Sequence, residues 1–257
     1  MDPAGKRVLL TGAAGGLGET AAKALARRGA TLILSSRNRE RLDLLAAELP
    51  GGGHEVIAAD LAEAGSVRRV IEQAGRIDIL LANAGRSGGF ALDELPADEV
   101  ADVIKVNFEA PIQMARAAIP QMKERGEGQI VLIASLAGKF ALPESTMYSS
   151  TKAGLRAFGW ALRPELARHN IGVTVVSPGF ISEVGMFAKR GRKAPPGAGT
   201  ISPERYAKAL IRAIERNDGE AVIAPPQLRL LGQLALIAPG LFARVFRRVA
   251  PQRKPAR

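Results

Sequence analysis

Cysteine is missing from all 257 residues. Disulfides, thiolate-held metals and cysteine nucleophiles are thereby excluded. Histidine is nearly missing: with only His54 and His169, a histidine-rich metal cage is disfavoured. The opening MDPAGKRVLL has no extended apolar region and no cleavage site, which points away from secretion and towards the cytoplasm. Repeats and low-complexity linkers are absent too. Acid is lacking in one region only. Positions 221–257 hold Arg229, Arg244, Arg247, Arg248, Arg253, Lys254 and Arg257 but no Asp or Glu. The net charge is +11, so residues 1–220 carry +4 and the tail the remainder. Such a tail suits an anionic membrane, nucleic acid or an acidic partner.

What is present reads as a folded domain, 47% hydrophobic and 24% charged, and long enough for a substantial core. Apolar runs rich in Val, Ile and Leu fall at 7–10, 31–35, 55–59, 77–82, 129–134, 172–176 and 221–224. Helical patterns fall between them at 17–28, 39–48, 66–74, 97–125, 147–169 and 203–216. The runs are continuous rather than alternating, which marks strands covered on both faces and predicts a parallel sheet with crossover helices. The fold class is therefore α/β: one doubly wound domain over residues 1–225, with a seven-stranded parallel sheet flanked by helices. Residues 226–257 form a basic extension, not an independent domain. Its longest uncharged stretch, 230–243, contains Pro239 and is shorter than the ~20 residues a bilayer span needs. Two short amphipathic helices split at Pro239 are expected, placed on a membrane, over a substrate entrance or against another subunit. Residues 183–201, rich in Gly, Pro and basic side chains, read as a mobile surface loop. Its Met186 and Phe187 beside Lys189, Arg190, Arg192 and Lys193 would suit an amphipathic, anionic substrate.

The first run leads into Thr11-Gly12-Ala13-Ala14-Gly15-Gly16-Leu17-Gly18, and a helix follows. Glycines there let the backbone turn tightly and approach a pyrophosphate, while the helix N-terminus offers N–H groups and the positive end of its dipole. The second run ends in Ser35-Ser36-Arg37. An acid at this place would select NAD through the ribose 2′-OH, whereas Arg37 suits the 2′-phosphate of NADP. Sequence order sets no carboxylate opposite it. The other reading of Arg37 is one more solvated cation near Arg39 and Arg41.

Tyr148 and Lys152 stand four apart on a helical pattern and share a face. A nearby ammonium favours phenolate and lowers a tyrosine pKa towards the range of an acid/base catalyst. Alone the pair is commonplace. Two more polar residues add weight: Ser135, at the carboxyl end of the fifth run, where such sheets bind ligands, and Asn107, inside the apolar stretch Val103-Ile104-Lys105-Val106-Asn107-Phe108. A buried Asn needs partners, so Asn107 either serves the site or bonds a backbone carbonyl.

These residues resemble the short-chain dehydrogenase/reductase family, in its compact, non-extended branch with a Rossmann fold. The likeness covers roughly residues 5–224: TGAAGGLG at 11–18, Asp60-Leu61, Ala82-Asn83-Ala84-Gly85, Asn107, Ser135, Tyr148, Lys152 and Pro178-Gly179. The resemblance implies an oxidoreductase moving a hydride between a nicotinamide cofactor, NADP favoured over NAD, and a carbonyl or secondary alcohol. Gly12, Gly16, Leu17, Gly18 and Arg37 would hold the pyrophosphate and adenosine end. Asp60 and Leu61 would frame the adenine, and Asn83, Ala84 and Gly85 the ribose. Pro178, Gly179 and Ile181 would meet the nicotinamide. Tyr148 would exchange the proton, Ser135 hold the substrate oxygen, Lys152 lower the tyrosine pKa and bind ribose, and Asn107 position a relay water. Homo-oligomers and a hydrophobic substrate are further implications. Three departures stand out. Ala82 replaces an Asn, Gly15 stands where NADP-preferring relatives often carry a base, and Glu183 replaces a carboxamide-binding Thr that Ser182 could stand in for. A catalytically idle dinucleotide sensor is the alternative, against which the intact Ser135, Tyr148, Lys152 and Asn107 argue. A nucleic-acid binder lacks a recognisable motif.

Overall fold

The computed structural model describes residues 1–88, 91–140, 145–185, 198–242 and 244. Its seven strands are β1 (Arg7–Thr11), β2 (Thr31–Ser36), β3 (Glu55–Ala58), β4 (Ile79–Ala82), β5 (Gly128–Ile133), β6 (Ile171–Pro178) and β7 (Glu220–Ile223). They form one sheet in the order β3-β2-β1-β4-β5-β6-β7, with every pairing parallel. The order reverses between β1 and β4, which leaves a crevice beyond their carboxyl ends.

The helices are α1 (Gly16–Ala26), α2 (Arg39–Glu48), α3 (Ser66–Ala74), α4 (Ala97–Ile104), α5 (Ala110–Arg125), α6 (Thr146–Ala167), α7 (Pro203–Arg216) and α8 (Pro226–Ile237). Side chains alternate along the strands and feed two apolar layers. Val8, Leu10, Leu32, Leu34, Ile79 and Leu81 pack with Ala22 and Leu25 of α1, Leu42 of α2 and Leu210 of α7. Leu9, Ile33, Leu80, Ile130 and Leu132 pack with Val70 of α3, Met114 and Ala118 of α5, and Leu155 of α6. Each fully buried Leu or Ile contributes about 1.5–3 kcal/mol. Continuous apolar strands follow from a sheet buried on both faces.

One element departs from expectation. The single helix expected over 97–125 is broken by a π-helical turn, Lys105–Glu109. Pro111 supplies the reason. It has no N–H for the carbonyl of Asn107 four residues back, and its ring would press on that carbonyl. The chain widens instead, with Ala110 N–H reaching the Lys105 carbonyl. Ser202 caps α7 through a hydrogen bond from the Arg205 N–H at 3.3 Å. After α8, residues 239–242 are again helical, so the break falls at Ala238, one residue before the expected Pro239, which begins the second stretch. The rest of the expected tail and most of the substrate loop, including Met186, Phe187, Lys189, Arg190, Arg192 and Lys193, lie outside the described residues.

Candidate active site

The turn after β1 is built for close approach. Gly12 sits at φ +66°, and a Cβ there would come within 2.8 Å of the Ala84 Cα. A Cβ on Gly18 would stand 2.1 Å from the Gly12 carbonyl oxygen. Asn83 ties β4 to this turn: its side-chain amide donates to the carbonyls of Thr11 (3.0 Å) and Gly12 (3.2 Å). Thr11 Oγ1 in turn accepts from the N–H groups of Asn83 and Ala84, both at 3.1 Å.

Beside the turn lies a cleft of about 430 Å³. Of the residues expected to bind cofactor, Gly12, Gly16, Leu17, Gly18, Arg37, Leu61, Asn83, Ala84 and Gly85 line it. Asp60, Tyr148, Lys152, Pro178, Gly179 and Ile181 stand outside its lining. Pro178 ends β6, the Gly179 N–H donates to the Ile223 carbonyl at 3.0 Å, and Ile181 is buried and paired with Ile201. The cleft suits an anionic dinucleotide. Among the described residues no side chain caps the N-terminus of α1 at Gly15, and its first-turn residues Gly16, Leu17 and Gly18 line the cleft, where their N–H groups suit an anion. The Ser36 hydroxyl, also in the lining, is buried without a hydrogen-bond partner among the described residues.

Arg37 is not unopposed. Asp60 Oδ2 lies 3.7 Å from its Nη1, which corrects the expectation drawn from sequence order. Parallel pairing of Ser36 with Ala58 sets the residues following β2 and β3 side by side. The other oxygen of Asp60 accepts from the Ala62 N–H at 2.9 Å. Arg41 shares the lining with Arg37.

Ser135 follows β5 directly, and its Oγ accepts from the Ala137 N–H at 3.1 Å, starting a tight turn. Tyr148 and Lys152 lie in the first turns of α6. That helix and the serine turn meet so closely that a Cβ on Gly138 would stand 2.8 Å from the Lys152 carbonyl. The Ser135 hydroxyl lies within reach of the Tyr148 phenol. Lys152 Nζ sits 5.9 Å from the centre of the Tyr148 ring and donates to the Ile133 carbonyl at 2.7 Å. With Lys152 only 2% exposed, burial pushes its ammonium down to about 8. Burial also pushes the Tyr148 phenol above its ordinary value, and the Ser135 hydrogen bond opposes that rise. The expected lowering of the tyrosine by Lys152 is therefore not the balance here: desolvation of the phenolate outweighs the attractions.

Asn107 is fully buried in the π-turn. Its Oδ1 accepts from the Arg86 N–H at 2.7 Å, and its Nδ2 donates to the Arg86 carbonyl (2.8 Å) and Thr151 Oγ1 (3.2 Å). The amide is spent on the Arg86 backbone and the Thr151 hydroxyl, so any water held by this residue must be held by its main chain. Ser182 donates to the Ile201 carbonyl at 3.2 Å, which commits its proton elsewhere than a carboxamide. Glu183 adopts φ +65°, an uncommon conformation for a side-chain-bearing residue.

Sequence reasoning missed several contributors. Arg86 lines the cleft and pairs with Asp102. Thr151 links Asn107 to the Tyr148 helix, donating back to the Met147 and Tyr148 carbonyls. Lys139, at the end of the serine turn, is buried with its Nζ 2.9 Å from Glu220, which Arg156 also binds. A lysine four residues beyond Ser135 was the visible signal; its partner lies on the far strand and was not.

A family profile described as short chain dehydrogenase matches residues 6–195. A ketoacyl reductase, HetN, from a Nostoc strain is 37% identical over 227 residues, covering 85% of this chain and 78% of that protein. Dehydrogenase/reductase SDR family member 7B from Bos taurus is 34% identical, covering 93% and 79%. Among solved structures, a short-chain dehydrogenase from Sphingobium yanoikuyae in complex with NADPH aligns with a TM-score of 0.80 at 28% identity, covering 98% of both chains. A bulky-bulky ketone specific alcohol dehydrogenase from Comamonas testosteroni aligns at 0.79 with 25% identity, covering 98% and 97%. With the profile spanning most of the chain, and the glycine turn and Ser135 both following the carboxyl ends of strands of one parallel sheet, the chain belongs to the short-chain dehydrogenase/reductase family of NAD(P)-dependent oxidoreductases.

Proposed function

We propose that the protein moves a hydride between NADPH and the carbonyl or carbinol carbon of a hydrophobic, lipid-like substrate. The observation that carries this reading is the convergence of Ser135 and Tyr148 with the buried Lys152 ammonium at the carboxyl end of β5. When bound, the nicotinamide supplies or accepts the hydride at its C4 carbon. In reduction, the Tyr148 hydroxyl gives its proton to the substrate oxygen as that oxygen becomes alkoxide-like. Ser135 donates to the same oxygen and stabilises its growing charge. Lys152 favours the phenolate that Tyr148 leaves behind, and its bond to Ile133 holds it to the strand that carries Ser135. Asn107 keeps the Arg86 backbone at the cleft wall, and its carbonyl, which Pro111 cannot serve with an N–H, is the oxygen we assign to holding a relay water.

NADPH is favoured because Arg37 and Arg41 set two guanidinium groups against the single carboxylate of Asp60 at the β2 end of the cleft. The NADPH in the Sphingobium structure supports this. An apolar cluster of Leu136, Phe140, Phe180 and Leu228 beside Ser135 favours a greasy substrate, and the ketoacyl and bulky-ketone activities named for the relatives support a carbonyl. The reading includes a homo-oligomer, a dimer or tetramer, and contact between the C-terminal segment and a membrane surface. The test is a panel of ketones and secondary alcohols of rising apolar size, followed by NADPH absorbance and repeated with NADH. Catalytic efficiency should rise with apolar size and favour NADPH by roughly tenfold or more. No turnover across the panel, or a preference for NADH, would remove the reading.

A further inference from the structure

Helix α8 has two apolar faces. Leu228, Gly232 and Ala235, spaced four and three apart, are buried. A Cβ at Gly232 would stand 3.0 Å from Leu136 Cδ1 and 3.3 Å from Lys139 Cδ, so this face lies close on the turn that begins at Ser135. On the opposite face, Leu230, Leu234 and Ile237 repeat at four and three residues. They are 62, 50 and 80% exposed. That spacing is one stripe along the helix, and Leu241, 62% exposed, follows in the next helical stretch. A surface helix of a globular protein ordinarily turns charged and polar side chains outward, and a contiguous exposed apolar patch marks an interaction site.

We propose that this outer face of α8 docks on an anionic phospholipid bilayer. Charge selects the occupant. The stripe lies within positions 221–257, which hold seven bases and no acid, and Arg229 and Arg244 are exposed on either side of it. Apolar side chains beside cations are the pattern of a helix lying in an anionic lipid interface. A second copy of this chain is the weaker occupant. A two-fold contact would set two such basic segments against each other, and like charges facing each other penalise association. At 12 residues, α8 is about 18 Å long, too short to cross a hydrocarbon core of about 30 Å, so it lies in the plane of the surface.

The position gives the contact a purpose, which rests on the hydride-transfer reading above. The inner face of α8 belongs to the same apolar cluster as Leu136, Phe140 and Phe180, and these residues flank Ser135 and Gly179. A membrane-dissolved ketone or alcohol then reaches the catalytic serine across apolar surface, without crossing bulk water.

The experiment is co-sedimentation of the full chain with phosphatidylcholine vesicles and with vesicles of phosphatidylcholine and phosphatidylglycerol in roughly equal parts. The native chain should pellet with the anionic vesicles and be released by high salt. The double variant Leu234→Gln/Ile237→Gln should bind them roughly tenfold or more weakly. It should keep native unfolding behaviour and turnover of a small water-soluble ketone while losing turnover of a long-chain ketone carried in the vesicles. Failure to pellet with anionic vesicles, equal binding to both vesicle types, or undiminished binding by the variant each overturns the proposal. So does a variant that only changes the oligomeric mass in light scattering, which would assign the stripe to a second copy. Anionic-vesicle binding by a chain that turns over no ketone would leave the docking face standing and remove the catalytic reading alone.

Discussion

Lys152 is the point where catalysis and stability oppose each other most directly. Its side chain is buried and its hydrogen-bond partner is the Ile133 carbonyl. Burial carries its pKa from 10.5 to about 8. At about pH 7 the folded protein therefore carries an ammonium whose burial costs roughly 3 kcal/mol. Because the folded pKa lies below the unfolded one, the native state binds fewer protons between those two values. Stability is lowest and flat below about 8, rises through the interval and levels off above 10.5. Lys152→Met keeps the apolar stem and removes the charge, at the loss of one charge-assisted hydrogen bond of about 1.5–3 kcal/mol. The variant should be more stable than the native chain by about 1 kcal/mol near neutrality. That advantage should shrink by roughly 3 kcal/mol as the pH is raised through the interval, so the order of the two chains reverses. Urea unfolding of both proteins across this range reads the difference, in which all other titrations cancel. Turnover should be lost in the variant throughout. A stability difference that stays constant with pH, or a variant clearly less stable at neutrality, would refute the desolvation argument.

Asn107→Ala removes three hydrogen bonds and strands the Arg86 N–H; urea unfolding should show a loss of about 2–3 kcal/mol, and a loss below ~0.5 kcal/mol would contradict it. Gly18→Ala places a Cβ against the Gly12 carbonyl, so NADPH affinity measured by cofactor fluorescence should fall roughly tenfold or more. Unchanged affinity would show that the turn does not hold the pyrophosphate. Asp60→Asn frees Arg37 from its carboxylate and should raise the NADPH-to-NADH ratio of kcat/KM about threefold, while Arg37→Gln should lower it. A ratio indifferent to both would assign the 2′-phosphate elsewhere.

The architecture was legible because it is written in local pattern. The Val, Ile and Leu runs marked all seven strands, and the bounds of α2, α3 and α7 coincide with the periodicity that announced them. The helix over 97–125 was misread because its apolar spacing runs on through Asn107; the signal that breaks it is Pro111, whose effect falls on a carbonyl four residues upstream. At the site, the Tyr148 and Lys152 spacing was visible within one helix. What the spacing could not carry was desolvation, which reverses the expected direction for the phenol. Partnerships across the sheet were likewise hidden. Asp60 meets Arg37 only because β2 and β3 are neighbours, and Lys139 meets Glu220 only because β7 closes the sheet edge beside β6.

The most direct measurement is of Tyr148→Phe, with ketone reduction followed by NADPH absorbance and cofactor affinity followed separately by fluorescence. Removing one hydroxyl oxygen should lower kcat by about a thousandfold, while the NADPH Kd stays within roughly twofold, since the glycine turn that holds the phosphates is untouched. Turnover surviving at more than about a tenth of the native rate would contradict proton transfer by this phenol.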